Sequence, residues 1–220
     1  MIKFNFNPGL EGKTDAVIFD LGGVLLNVDY EKSINAFIEL GFENFDNVFG
    51  KLKQSELFSR FETGLVTPSE FREELRKMVN KEISDEEIDS AWNAMLLDFP
   101  PERLELLSAM KNRFRLFLLS NTNAIHTPAF ENILKEEYGI LDFQSFFEKV
   151  YYSHKIGLRK PGREVFDFVV RENELDPERT LFIDDTKHHV EGAASAGLVA
   201  VHLDDDRTIT DLITVDNKNR

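Results

Sequence analysis

Five short apolar runs, at 16–19, 116–119, 149–152, 181–183 and 199–202, constrain the fold of this 220-residue chain more than any other feature. Several are rich in Val, Ile, Leu or Phe, with little alternation of apolar and polar residues. A strand with one wet face alternates, whereas a strand covered on both faces does not. The runs therefore predict buried parallel strands. Helical patterns lie between them. Leu104, Leu107 and Met110 recur at helical spacing, and Pro128 and Pro161 stand where a first helical turn would begin. Strands alternating with helices predict an α/β fold with a doubly wound parallel sheet.

The interval 29–99 breaks this alternation. It contains no convincing strand and reads as amphipathic helices at 30–40, 51–61, 68–79 and 85–96. Turn signals at Gly41, Glu62-Thr63-Gly64 and Asn80 separate them, and Ser84 followed by Glu87 has capping-box spacing. The expected division is an α/β core from 1–28 and 100–220 with an all-helical domain, 29–99, inserted after the first strand. The polar tail from Asp211 to Arg220 is expected to fray.

Composition narrows the function classes. There are 40 acidic and 26 basic residues, giving a net charge of −14. Such a surface repels nucleic acid and anionic lipid, so neither is an expected partner. A phosphorylated substrate would be repelled too, so its pocket must carry local positive charge. The chain has no cysteine, which excludes thiol catalysis, zinc–thiolate sites and disulfides. The first residues lack a long apolar stretch and no run approaches membrane-spanning length, so a cytoplasmic protein is the expectation.

Four strand ends carry chemistry. In Val17-Ile18-Phe19-Asp20-Leu21-Gly22-Gly23 an apolar run enters an Asp and two glycines. Ligands of open α/β sheets bind beyond the carboxyl ends of strands, where Asp20 is expected. Leu118-Leu119-Ser120-Asn121 ends a second run in a hydroxyl and an amide, able to face an anion. Lys160 precedes Pro161 at an expected helix start, where anions collect. Leu181-Phe182-Ile183-Asp184-Asp185 ends a run in paired carboxylates, hard ligands of the kind Mg²⁺ takes. Taken singly, each has a bland reading: a strand-ending Asp, a capped turn, a solvated lysine and a polar strand end. Together they bring nucleophile, phosphate binder, charge neutraliser and metal ligand to one rim of one sheet.

The motifs FDLGG, LLSNTN, RKPG and FIDD, in this order, resemble the four motifs of the haloacid dehalogenase-like superfamily. The stretches SNTNAIH, IGLRKPGREVF and FIDDTKHHVEGA are most similar to its α-D-glucose-1-phosphate phosphatase-like subgroup. The resemblance implies a Rossmann-like core with a helical cap, and Mg²⁺-dependent hydrolysis of a small phosphorylated metabolite. It implies that Asp20 attacks phosphorus and forms an aspartyl-phosphate. Mg²⁺ would be held by Asp20, the Gly22 carbonyl and Asp184, with Asp185 as a further ligand or the holder of a bound water. Ser120, the Asn121 N–H and Lys160 would stabilise the transferring oxygens.

One position departs from that pattern. The superfamily usually carries a second Asp two residues after the nucleophile, which protonates the leaving group; here Gly22 stands there. General acid–base help is typically worth about 10²–10⁴-fold. Its loss matters least for an easily departing group such as the anomeric hydroxyl of a sugar 1-phosphate, and it disfavours alkyl esters and phosphomutase chemistry. Asp29 and His126 are candidate substitute proton carriers, with helix capping as the alternative for His126. Of His188 and His189, at least one reads as solvent-facing or structural. Arg159 reads as a surface residue, and Asp204-Asp205-Asp206 as a solvated loop. Two other functions compete with phosphatase: a non-catalytic phosphate-binding or regulatory protein, and a haloacid dehalogenase. Asp184-Asp185 speaks against the second, because dehalogenases need no metal.

Overall fold

The computed structural model describes residues 3–6, 14–42, 56–204 and 206–216. Its centre is a five-stranded parallel sheet built from β2 (Ala16–Phe19), β3 (Arg115–Ser120), β4 (Lys149–Tyr152), β5 (Thr180–Asp184) and β6 (Val199–His202), in the order β4-β3-β2-β5-β6. Alternate residues face opposite sides. Val17, Phe19, Leu116, Leu118, Leu181 and Ile183 enter one apolar cluster, while Ile18, Phe117, Leu119, Tyr151 and Phe182 enter another. Both faces are covered, which is why the strand sequences do not alternate.

Register brings the motifs together. Phe19 pairs with Leu118 on one side and Ile183 on the other. The Asp20 N–H donates to the Ile183 carbonyl at 3.0 Å. Asp20 and Asp184 therefore emerge side by side on the carboxyl edge of the sheet, with Ser120 one residue further along its strand.

Between β2 and β3 the chain forms α1 (Tyr30–Glu39), α2 (Glu56–Glu62), α3 (Pro68–Arg76), α4 (Asp85–Asn93) and α5 (Pro101–Met110). Local signals set several starts. The Asp29 carboxylate accepts the Glu31 N–H, and Thr67/Glu70 and Ser84/Glu87 make full capping boxes. Phe37, Phe58, Phe61, Phe71 and Trp92 pack into a third apolar cluster, with Phe61 stacked on Phe71 at 4.1 Å. Each buried Phe contributes roughly 1.5–3 kcal/mol. The expected helix at 51–61 lies partly outside the described residues.

The chain enters and leaves this helical segment side by side. Val28 and Leu96 form an antiparallel bridge. It is reinforced by backbone bonds from Asn27 to Asp98, Leu97 to Asn27 and Asp29 to Met95. After β3 come α6 (His126–Tyr138), α7 (Ser153–Ile156), α8 (Arg163–Glu172), α9 (Lys187–Ser195) and α10 (Ile209–Leu212).

Two expectations are corrected. Pro161 does not open a helix: α8 begins at Arg163, because Gly162 is still extended with ψ of 129°. The Lys160–Pro161 peptide is cis. The tail is also more ordered than its polarity suggested. After the Thr208/Asp211 capping box, β7 (Ile213–Asp216) pairs antiparallel with β1 (Lys3–Phe6). Ile213, Thr214 and Val215 are consecutive β-branched residues, which favour extended backbone. Residues 217–220 lie outside the described set.

Candidate active site

Lys160 is the hub of the site. Its side chain is fully buried, with Nζ 2.7 Å from Asp20 Oδ1 and 2.6 Å from Asp184 Oδ2. Asp184 also accepts the Thr186 N–H at 2.8 Å and faces His189 Nδ1 at 3.0 Å. Burial works against the Lys160 ammonium, but Asp20 and Asp184 outweigh it and raise its pKa. Burial also raises Asp184, yet the Lys160 charge and the His189 contact win and hold it low, at about 2. Asp20 goes the other way. Burial pushes its carboxyl up to about 7; Lys160 opposes this, and the charges of Asp184 and Asp185 add to it.

Asp20, Asp184 and Asp185 present carboxylate oxygens within 4.8 Å of one another. Asp185 is pushed up by burial and then by Asp184. Three crowded acids with one lysine among them are short of positive charge, and their hard oxygens fit a divalent ion such as Mg²⁺. Gly23 makes this crowding possible. Its φ is +74°, and a Cβ there would stand 2.2 Å from Asp185 Oδ2. Gly22 also lines the cavity, beside Val28.

A cavity of about 260 Å³ opens on Asp20 and is lined by Gly22, Ser120, Asn121, Asp185 and His189 among others. Ser120 is buried at its edge. The Asn121 side chain does not face the cavity as a free amide, because it bonds both the N–H and the carbonyl of Lys160 at 2.9 Å. All the residues expected from the motifs thus meet at one place. A second cavity, about 120 Å³, shares Gly22, Ser120 and Asn121 and runs beneath the helical segment between Leu26, Trp92, Met95 and His126.

Several residues were misread or passed over in the sequence. Arg159 is not simply a surface residue: it lines the reaction cavity and pairs with Glu62 of α2 at 3.1 Å. Tyr30 lines both cavities, and its phenol is pushed up by burial and then by Asp185 and Asp20. No spacing rule marks Tyr30, which, like Glu62, joins the site only when the helical segment folds over the sheet. Asp29 caps α1 through its carboxylate. His126 is buried and pushed down to about 3, so it is neutral at physiological pH and no proton carrier. His188 is exposed, whereas His189 touches Asp184. Asp204 pairs with Arg207 outside the site.

The strand-end carboxylates, the buried lysine and the doubly covered parallel sheet together define a hydrolase centre of one family. The haloacid dehalogenase-like hydrolase family matches residues 14–197, and the chain belongs to it. It is 30% identical over 179 residues to a D-ribitol-5-phosphate phosphatase of Bacteroides thetaiotaomicron, covering 79% of this chain and 84% of that protein. It is 27% identical to a phosphorylated carbohydrates phosphatase of Thermotoga maritima, covering 86% and 84%. Among solved structures it is similar to a HAD family enzyme of Bacteroides thetaiotaomicron crystallised with magnesium and inorganic phosphate. That match has a TM-score of 0.79 and 35% identity, over 88% of this chain and 96% of the other.

Proposed function

We propose that this chain is a Mg²⁺-dependent phosphatase that hydrolyses a small phosphorylated carbohydrate through an aspartyl-phosphate on Asp20. The observation that carries the reading is the buried Asp20–Lys160–Asp184 array, which meets the cavity at Asp20, with Ser120 also in the cavity wall. Asp20 Oδ2 attacks phosphorus, the P–O bond to the leaving group breaks and its departing oxygen takes a proton from water, and a second water then cleaves the acyl phosphate to release inorganic phosphate and return the free carboxylate. Lys160 holds Oδ1, which aims the other oxygen at the substrate. In this reading the Ser120 hydroxyl and the Asn121 N–H receive the transferring oxygens. Asp20, the Gly22 carbonyl, Asp184 and Asp185 would hold Mg²⁺, which supplies the charge that lets an anionic nucleophile approach an anionic ester.

Residues 1–28 and 100–220 serve in this reading as the catalytic core, and 29–99 as the cap that covers the substrate. Gly22 removes the usual leaving-group acid, which favours an anomeric phosphate. The likeness to the ribitol-phosphate enzyme supports a second substrate, a sugar alcohol phosphate.

The test is phosphate release from sugar 1-phosphates, pentitol 5-phosphates, sugar 6-phosphates, nucleotides and an aryl phosphate. Asp20→Asn and EDTA should each abolish it. Turnover that survives Asp20→Asn would remove Asp20 as nucleophile. A folded protein that binds beryllium fluoride yet turns over no ester would be a phosphate-binding relic.

A further inference from the structure

The smaller cavity contains a hydrogen-bonding group the reaction does not use. His126 is the first residue of α6, and its backbone is fixed: the Asn123 Oδ1 accepts the N–H groups of Ile125 and His126 at 3.0 and 2.9 Å. Its ring lies parallel to Trp92 of α4, with centroids 5.0 Å apart and planes 7° from parallel. Its Nδ1 is 2.8 Å from Asn93 Oδ1. A carboxamide oxygen can only accept, so Nδ1 carries the proton. In a neutral imidazole the other nitrogen, Nε2, is then an acceptor. Among the described residues nothing hydrogen-bonds Nε2, and the residue lines the cavity.

We propose that His126 Nε2 is a fixed hydrogen-bond acceptor for a hydroxyl on the substrate's carbon skeleton, making His126 a specificity-determining residue. The inference rests on the phosphatase reading and narrows its substrate class. The cavity adjoins Ser120 and Gly22, and in the phosphatase reading the leaving group extends into it. Leu26, Met95 and the Trp92 indole give it apolar walls suited to C–H faces, and the imidazole gives it one fixed acceptor. A polyhydroxy chain or sugar ring matches both features. A plain hydrocarbon chain would fill the walls and leave the acceptor dry and unpaired, which disfavours it. Because the ring is neutral, this acceptor does not compete with Lys160 for the phosphate.

The experiment compares wild type, His126→Phe and His126→Gln on ribitol 5-phosphate and on n-pentyl phosphate, which has the same chain length without hydroxyls. His126→Phe keeps the ring beside Trp92 and removes the acceptor. It should lower kcat/KM for the pentitol ester about tenfold, mainly through KM, the worth of one uncharged hydrogen bond. Pentyl phosphate should change less than twofold. His126→Gln, which restores an acceptor, should recover most of the loss. Equal losses on both esters, or no loss on the pentitol ester, would overturn the proposal.

Nitrogen NMR tests it without turnover or substitution at His126. In Asp20→Asn protein the ring should be the Nδ1–H tautomer, and saturating ribitol 5-phosphate should shift the Nε2 resonance upfield. A proton on Nε2, or no shift at saturation, counts against it. The two readings fail separately: wild type inert toward every ester removes the phosphatase, whereas unchanged ester preference in His126→Phe removes only this acceptor.

Discussion

Asn121 grips the backbone of Lys160 from both sides: its Oδ1 accepts the Lys160 N–H and its Nδ2 donates to the Lys160 carbonyl, each at 2.9 Å. The end of β3 thereby fixes the height at which the lysine enters the acid cluster. Asn121→Ala leaves two backbone groups to find water or stay unpaired, at a cost of about 1–3 kcal/mol. Urea denaturation should show that loss, and phosphate release should fall at least tenfold although no charged group has been touched.

Removing the lysine itself should be worse. In Lys160→Met, Asp20 and Asp184 lose the cation between them, so Asp184 is left charged and buried without that partner and Asp20, already pushed up to about 7, is pushed further toward its neutral form. Breaking a buried ion pair from one side typically costs about 3–5 kcal/mol. Denaturation of the metal-free variant at pH 7 is the measurement, and a loss below 1 kcal/mol would mean that water reaches the pair.

Gly22 and Gly23 should respond differently to alanine. Gly23→Ala meets both a left-handed backbone and the Asp185 carboxylate, so it should lose about 1–3 kcal/mol and bind Mg²⁺ more weakly. Gly22→Ala meets only Val28 Cγ2 at 3.3 Å, with no positive φ, and should be the milder change. Thermal melts and calorimetric Mg²⁺ titration of the two variants decide this.

Metal should also register as stability. An ion that binds only the folded chain adds about 2.7 kcal/mol at one hundred times its Kd. The melting temperature should therefore rise with Mg²⁺ and return to its starting value with EDTA. Asp185→Asn should need more Mg²⁺ for the same rise.

His126 makes acid stability predictable. Its folded pKa is pushed down to about 3 by burial, while in the unfolded chain it titrates near 6.5. Above pH 6.5 neither state holds the proton and no penalty exists. As pH falls toward 3 the unfolded chain takes up a proton that the folded chain refuses, so stability drops by up to about 1.4 kcal/mol per pH unit. His126→Gln should flatten that part of the curve. Parallel pH profiles for wild type and variant would exclude it.

The strand ends were legible in the sequence because parallel strands buried on both faces leave a continuous apolar run. Whatever follows such a run is on the rim; Asp20, Ser120 and Asp184 needed no more than that. Lys160 could be placed at the site but not understood, because its neighbours are set by register rather than by spacing. Tyr30 and Arg159 were hidden for a related reason. They are charged or amphipathic residues on helices and turns, and one sequence cannot tell which of these faces a cavity and which faces water. The β1–β7 pairing was missed because it joins chain ends over 200 residues apart, and contacts that distant leave no local periodicity.

The bridge between Val28 and Leu96 has a mechanical consequence. Two chain crossings tied by the Asn27–Asp98, Leu97–Asn27 and Asp29–Met95 bonds cannot swing independently. They join helices α1 to α4 to the sheet as one paired connection rather than two separate ones. Beyond it, the Glu62–Arg159 ion pair and the Trp92–His126 stack are further ties between the helical segment and the core. The walls of both cavities are therefore anchored at more than one point, at their base and across their mouths.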